Sequence, residues 1–263
     1  MPDMLKLSRR LQTIAGLVPQ HSRVADIGSD HGLLPVYLLQ TGRSDFAVAG
    51  ELNEGPLQAA VRQIEAAGLG GRIAARRGNG LAVIEPGEVE CVTIAGMGGA
   101  LMAGILSEGL AAGKLEGVTT LVLQPNVGED LVRRWLLQHH WSLAAERLVE
   151  EDGKWYEVLL AVRITDADTY NTMLYNTSFL PLDRDTEEKR RLLLTMGPWL
   201  LRQPSDVLKR KWQSEADKLR KICARINRSD SAEAAEKLRE MEREIETIEE
   251  VLGCLQTDKR SFS

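Results

Sequence analysis

Asp26-Ile27-Gly28-Ser29-Asp30-His31-Gly32 is the stretch that decides the fold. A short apolar run, Arg23–Gly28, leads into it, and a helical apolar pattern, Leu33–Leu39, leads out. Strand, glycine turn and helix are therefore expected in that order. Glycines at positions 28 and 32 suit a backbone that turns sharply and comes close to a ligand. A dinucleotide-binding turn would prefer G-x-G-x-x-G, with a pyrophosphate on the helix N-terminus. Here Asp26 and Asp30 crowd the turn with negative charge. That is a poor host for phosphates and a good one for a ligand carrying an ammonium and a sulfonium.

Outward from this turn the pattern repeats. Phe46–Glu51 reads as a second strand, followed by a helix over Leu57–Ala67 with Pro56 in its first turn. Arg72–Arg77 is a weaker strand, and Glu90–Ala95 and Thr119–Gln124 are strong ones. Helices over Ala100–Ser107 and Glu129–His139 follow these two. Trp141–Val149 and Trp155–Val162 flank Asp152-Gly153 and read as a hairpin. Alternating strands and helices imply an α/β, Rossmann-like sheet, mostly parallel, closed by an antiparallel C-terminal hairpin.

Three features fall at the carboxyl ends of successive strands, where open α/β sheets bind ligands. The first is the turn itself, with Ser29 and His31 beside its glycines and aspartates. The second is Glu51, placed to accept from two ribose hydroxyls, with Leu52 next to it. The third is Asn79 with Gly80, where an amide can face an adenine edge. Together they point to S-adenosyl-L-methionine and a class I methyltransferase sheet. The plainer alternative is a helix cap, a solvated glutamate and an ordinary turn. Ala95-Gly96-Met97-Gly98-Gly99 and Gln124-Pro125-Asn126 end the next two strands and should face the methyl group.

The chemistry expected there is alignment. The Asx-Pro-Pro-aromatic loop of many exocyclic-amine methylases is missing, and Cys91 lies inside a strand, so covalent catalysis is not expected. A ring nitrogen with its own lone pair needs in-line attack and stabilisation of a cationic product. Asp30 is the candidate to accept from the base's amino group and to balance that charge, and Met97 offers a polarizable surface to the ring.

Composition bounds the rest. The chain has 263 residues, 43% hydrophobic and 27% charged, with a formal net charge of −5. A nucleic-acid partner must then meet a local basic patch. No apolar run spans a bilayer, and the charged N-terminal segment lacks a signal-peptide core, so a cytoplasmic protein is expected. The three cysteines form neither a disulfide framework nor a zinc pattern, and no metal is expected. Residues 1–163 read as the cofactor domain, 164–185 as a polar linker and 186–263 as a helical domain. In the last, Leu208, Trp212, Leu219, Ile222 and Ile226 share a helix face. Beyond a polar break at 227–231, Ala234, Leu238, Met241, Ile245, Ile248, Leu252 and Leu255 form a heptad seam. A mainly basic first helix and a mainly acidic second suggest a coiled-coil hairpin.

These residues also carry a resemblance. Leu7–Leu11, Ala25–His31, Ala49–Glu51, Gly78–Leu81, Thr93–Gly99, Leu123–Asn126 and Glu151–Glu157 resemble the TrmK family, bacterial tRNA methyltransferases acting on N1 of adenine 22. The likeness continues more loosely through Gly197-Pro198 and Leu208–Trp212. It implies a tRNA partner, cofactor contacts by Gly28, Glu51 and Asn79, a reaction role for Asp30, and Met97 near the base. The family often has aspartate where this chain has Asn79. Arg9 and Arg10 are then candidates for phosphate contacts, with Gly98, Gln124, Pro125 and Asn126 on the substrate side. Two other functions remain open: a small-molecule or protein methyltransferase dimerising through the coiled coil, and a cofactor-binding adaptor without catalysis.

Overall fold

A computed structural model describes residues 4–226 and 232–257. Its seven strands are β1 (Ser22–Ile27), β2 (Ser44–Glu51), β3 (Ile73–Arg77), β4 (Cys91–Gly98), β5 (Thr120–Val127), β6 (Ser142–Glu151) and β7 (Lys154–Val162). They form one sheet in the order β3-β2-β1-β4-β5-β7-β6. The first five pair in parallel; β7 is antiparallel to both β5 and β6. The hairpin is therefore inserted with its second strand inward, and β7 is the one strand running against the others. The strand order reverses between β1 and β4, so the ligand crevice of such a sheet lies at their carboxyl ends.

Helices α1 (Arg9–Leu17), α2 (Leu33–Gln40), α3 (Glu54–Ala66), α4 (Gly99–Ala111) and α5 (Glu129–Gln138) surround the sheet. Register determines what each helix meets, because side chains alternate across the pleat. Val24, Cys91, Val122 and Val158 emerge on one face and pack with Ile14, Ala15 and Val18 of the α1 segment and Leu34 and Leu38 of α2. Fully burying each large side chain contributes about 1.5–3 kcal/mol. The same parity brings Asp26, Thr93, Gln124 and Tyr156 to that face nearer the carboxyl end. On the opposite parity, Glu146 and Glu157 meet Arg133 of α5, and all three side chains are fully buried. Removing one member of such a group would strand a buried charge, at a cost of about 3–5 kcal/mol.

The chain forms two compact units, dividing between Met173 and Leu174. The segment 164–185, expected to be a linker, contains α6 (Ala167–Leu174). That helix buries one short face, made of Ala167, Asn171 and Leu174. It is held by side chains on backbone: Asn171 Nδ2 donates to the Trp141 carbonyl at 2.9 Å, and Tyr170 Oη to that of Leu143 at 3.2 Å. The second unit contains α7 (Thr186–Met196), α8 (Pro198–Arg202), α9 (Asp206–Ile226) and α10 (Ala232–Thr257). The last two pack together; Leu208, Trp212, Ala216 and Leu219 are buried on α9, and Ile245, Ile248, Val251, Leu252 and Leu255 on α10. Ile222, expected on the apolar face of the first helix, is exposed, and Ala234, Leu238 and Met241 of the expected seam are half-buried. Burial concentrates in the second half of α10, where Arg184 reaches Glu250 at 2.9 Å. Arg220 pairs with Glu249 across the two helices, in keeping with their opposite charge. The polar break at 227–231 lies outside the described residues.

Candidate active site

The turn after β1 is built from backbone conformations that most residues avoid. Gly28 (φ +71°), Asp30 (+33°), His31 (+64°) and Gly32 (+66°) are all left-handed. At Gly28 two reasons for glycine coincide, since an added Cβ would stand 2.3 Å from Met97 Cε. The turn hangs on β2: the Gly28 and Ser29 amides both donate to the Gly50 carbonyl, at 2.9 and 3.2 Å. The Asp30 amide donates to Glu51 Oε1 at 2.6 Å.

Asp26 lies beneath this turn rather than in it. Its register partner Thr93 donates to Oδ1 at 2.6 Å, and Ser29 Oγ donates to Oδ2 at 2.7 Å. Burial pushes its pKa up to about 6, against the pull of the Thr93 and Ser29 hydroxyls. Asp26 and Ser29 therefore shape the turn from within. Asp30 and His31 stand outside, with their side chains 81% and 61% exposed and 3.5 Å apart.

Glu51 closes β2 as a buried carboxylate, only 7% exposed, while Leu52 beside it is 55% exposed. The Gly78 amide donates to the Glu51 carbonyl at 2.9 Å and brings the following turn alongside. In that turn Asn79 is exposed and makes no capping bond, and Gly80 (φ +53°) backs onto Ile105. A carboxylate for a ribose diol, an apolar shelf for a ring and an amide for an adenine edge thus occur in one row. This donor set, with the glycine cradle under Met97, fits S-adenosyl-L-methionine.

The other side of the crevice comes from β4 and β5. Gly96 (φ +79°) is skipped in the pairing between Ala95↔Gln124 and Met97↔Pro125, so the strand bulges there. Gly98 lies beside exposed Val127, and Gly99 abuts the Gly128 carbonyl so closely that a Cβ would fall 2.0 Å from it. Asn126 Nδ2 donates to the Gly96 carbonyl at 2.8 Å. Gln124 is fully buried and donates to the Pro125 carbonyl at 2.8 Å and to Asn126 Oδ1 at 3.1 Å.

Arg10, expected to meet phosphates, is committed inside the protein. Its Nη1 donates to Gln124 Oε1 at 2.6 Å, and its guanidinium lies 5.3 Å from the centre of the Tyr156 ring. The cause is α1, which lies on the face where Gln124 and Tyr156 emerge. Glu151, on the same face at the end of β6, accepts the Arg9 and Arg10 amides at 2.6 and 3.3 Å and so holds the first turn of α1. Arg9 itself is exposed. Sequence spacing does not single out Thr93, Glu151 or Tyr156, although Ser8 followed by Leu11, Ile14, Ala15 and Val18 is a readable signal for α1. Cys91 is fully buried, which raises its thiol pKa and leaves it unsuited to act as a nucleophile. Among the described residues no group of three or more candidate ligands for a metal occurs, and no helix is long and apolar enough to cross a membrane.

Comparison with known proteins agrees with this geometry. A family model described as TrmK: tRNA (adenine(22)-N(1))-methyltransferase matches residues 24–250. The chain is 38% identical over 249 residues to the tRNA (adenine(22)-N(1))-methyltransferase of Bacillus subtilis (strain 168), covering 94% of this chain and 98% of that protein. The crystal structure of B. subtilis TrmK superposes with a TM-score of 0.80, covering 94% of this chain and 99% of the other. That of Streptococcus pneumoniae Sp1610 in complex with S-adenosyl-L-methionine is 38% identical, with a TM-score of 0.74 over 94% of this chain and 100% of the other. The chain belongs to the TrmK family of tRNA (adenine(22)-N(1))-methyltransferases.

Proposed function

We propose that the crevice between β1 and β4 carries out the family's reaction, methylation of N1 of adenine 22 in tRNA, with its two walls holding cofactor and base respectively. The observation that carries this reading is the buried Glu51 carboxylate joined to the left-handed turn through the Asp30 amide. Glu51 holds the ribose diol, Leu52 and the Asn79-Gly80 turn hold the adenine of the cofactor, and Gly28, His31 and Gly32 border its methionine end. Asp26 and Ser29 keep the turn in shape. S-adenosyl-L-methionine supplies an electrophilic methyl group on a sulfonium.

The chain's own work is then placement and electrostatics. N1 of adenine carries a lone pair, so no residue has to remove a proton before attack. Ala95, Gly96 and Gly98 leave room for a flat base, and Met97, packed over Gly28, offers it a polarizable surface. Gln124, Pro125 and Asn126 border the base from the β5 side. As N1 becomes cationic, the exposed Asp30 carboxylate stabilises the growing charge. Exposed Arg9 and basic residues of α9 attract phosphates, as a protein of net charge −5 must do through local patches. The target base has to leave its stack to reach the crevice. Such an enzyme works in the cytoplasm.

Labelled-methyl transfer to unmodified tRNA, followed by nucleoside analysis, tests the reading. Label should appear as 1-methyladenosine and should vanish when the target adenine is replaced by another base. Label in any other nucleoside, or none at all, overturns it.

A further inference from the structure

Arginine donates hydrogen bonds and never accepts them. That one-sidedness sets the direction of every amide beyond Arg10. Because Arg10 Nη1 donates to Gln124 Oε1, the Gln124 nitrogen must point the other way, towards the Pro125 carbonyl and Asn126 Oδ1. Because Asn126 Oδ1 accepts there, Asn126 Nδ2 must face the Gly96 carbonyl. The relay Arg10→Gln124→Asn126→Gly96 runs one way only. Reversing either amide would set like groups against each other, with Gln124 fully buried. An amide oxygen has two lone pairs, and Asn126 Oδ1 uses one for Gln124. Asn126 is exposed at the carboxyl end of β5, one bond from the β4 bulge that borders the crevice.

We propose that Asn126 Oδ1 accepts from the exocyclic amino group of the target adenine, and that Arg10, acting through Gln124, is a positioning residue that prevents this amide from turning round. The inference rests on the adenine-N1 reading above. Adenine carries an amino group next to N1, where guanine carries an oxygen. A fixed acceptor favours the first and repels the second, so the relay distinguishes the two purines. Asp30, the other acceptor at the crevice, lies on the β1 side with its carboxylate largely in water. That position suits charge balance better than the reading of one hydrogen bond.

The test compares tRNA carrying adenine at the target with tRNA carrying purine, which keeps N1 and lacks the amino group. For each enzyme the kcat/KM ratio of the two substrates is measured, and calorimetric titration of S-adenosyl-L-methionine confirms an intact fold. Any difference in intrinsic nucleophilicity cancels between variants. The penalty for purine should be about tenfold larger for the wild type than for Asn126→Ala or Asn126→Ser. Arg10→Ala should reduce the penalty as Asn126→Ala does, whereas Arg10→Lys, which can still donate to Gln124, should largely restore it. An equal penalty in all variants overturns the assignment, as does a loss of rate on both tRNAs alike. If the wild type forms no 1-methyladenosine on the adenine substrate, the functional reading itself fails. If it does and the penalty persists in Asn126→Ala, only the relay fails.

Discussion

The two walls of the crevice are made in different ways. The β1 wall is written in the backbone: four of the five residues from Gly28 to Gly32 have positive φ, and its amides are tied to Gly50 and Glu51. Holding Asp30 and His31 there costs about 1–2 kcal/mol each, which the anchoring bonds offset. The β4–β5 wall is written in side chains, with Arg10, Gln124 and Asn126 passing one hydrogen-bond direction along. A backbone wall offers a shape that few substitutions can retain. A side-chain wall can be retuned one residue at a time. The first arrangement suits a cofactor that never varies, the second a base that must be told from others.

The sharpest way to break this contrast is Gly28→Val. A β-branched side chain at φ +71° is strained, and its Cβ overlaps Met97. Calorimetry should find no cofactor binding, and transfer should fall below detection; near-normal affinity would mean the backbone wall is not what holds the cofactor. Asp30→Ala tests a side chain on that same wall. It should lower kcat by about a hundredfold while the cofactor Kd changes little, as single-turnover assays would show. Unchanged turnover would reject the role given to Asp30.

Asp26→Asn probes what the backbone wall costs. A carboxyl raised from its ordinary value near 3.8 to about 6 destabilises the fold when ionised, by about 3 kcal/mol. The folded state then binds the proton more tightly than the unfolded one. This carboxyl's contribution is therefore least favourable above pH 6, improves as pH falls through 6, and is fully relieved below about 4. Thermal melts should show the variant's advantage over wild type greatest near pH 8 and shrinking through that window. A difference independent of pH would contradict the assignment. The smallest effect is expected from Glu151→Ala, which loosens the first turn of α1 behind Arg10. Turnover should fall by about two- to fivefold at unchanged cofactor affinity, and a change in affinity would show that the walls are not independent.

The same contrast explains what could be read from sequence. Gly28, Gly32 and Gly80 mark the β1 and β3 loops because few residues allow their positive φ, Glu51 stands out as an acidic strand end, and the strands themselves are visible as apolar runs. The strands and the parallel order followed from that reading. The relay left no comparable trace. Gln124 and Asn126 beside a proline suit many turns, and Arg10 looks like any surface arginine until α1 is laid across the face that Gln124 occupies. Likewise α6 is faint in sequence because its buried face is short, with Ala167 and Leu174 as its only buried apolar residues and Asn171 and Tyr170 on carbonyl groups between them. In sequence Asp26 reads as part of the ligand's surroundings, but the Asp26↔Thr93 register places it underneath. Contacts between elements far apart in the chain, which sequence spacing does not reveal, decided each of these cases.

The clamp of Glu151 on α1 spans a separation of 142 residues between the Arg9 amide and its acceptor. A ribosome releases the helix first and its fastener much later. The cofactor turn, with β1, β2 and β4, can assemble once roughly the first hundred residues have emerged. The β4–β5 wall, with Arg10 fastened behind it, waits for the β6–β7 hairpin. On the proposed division of the crevice, a nascent chain acquires a place for its methyl donor well before it can choose an acceptor.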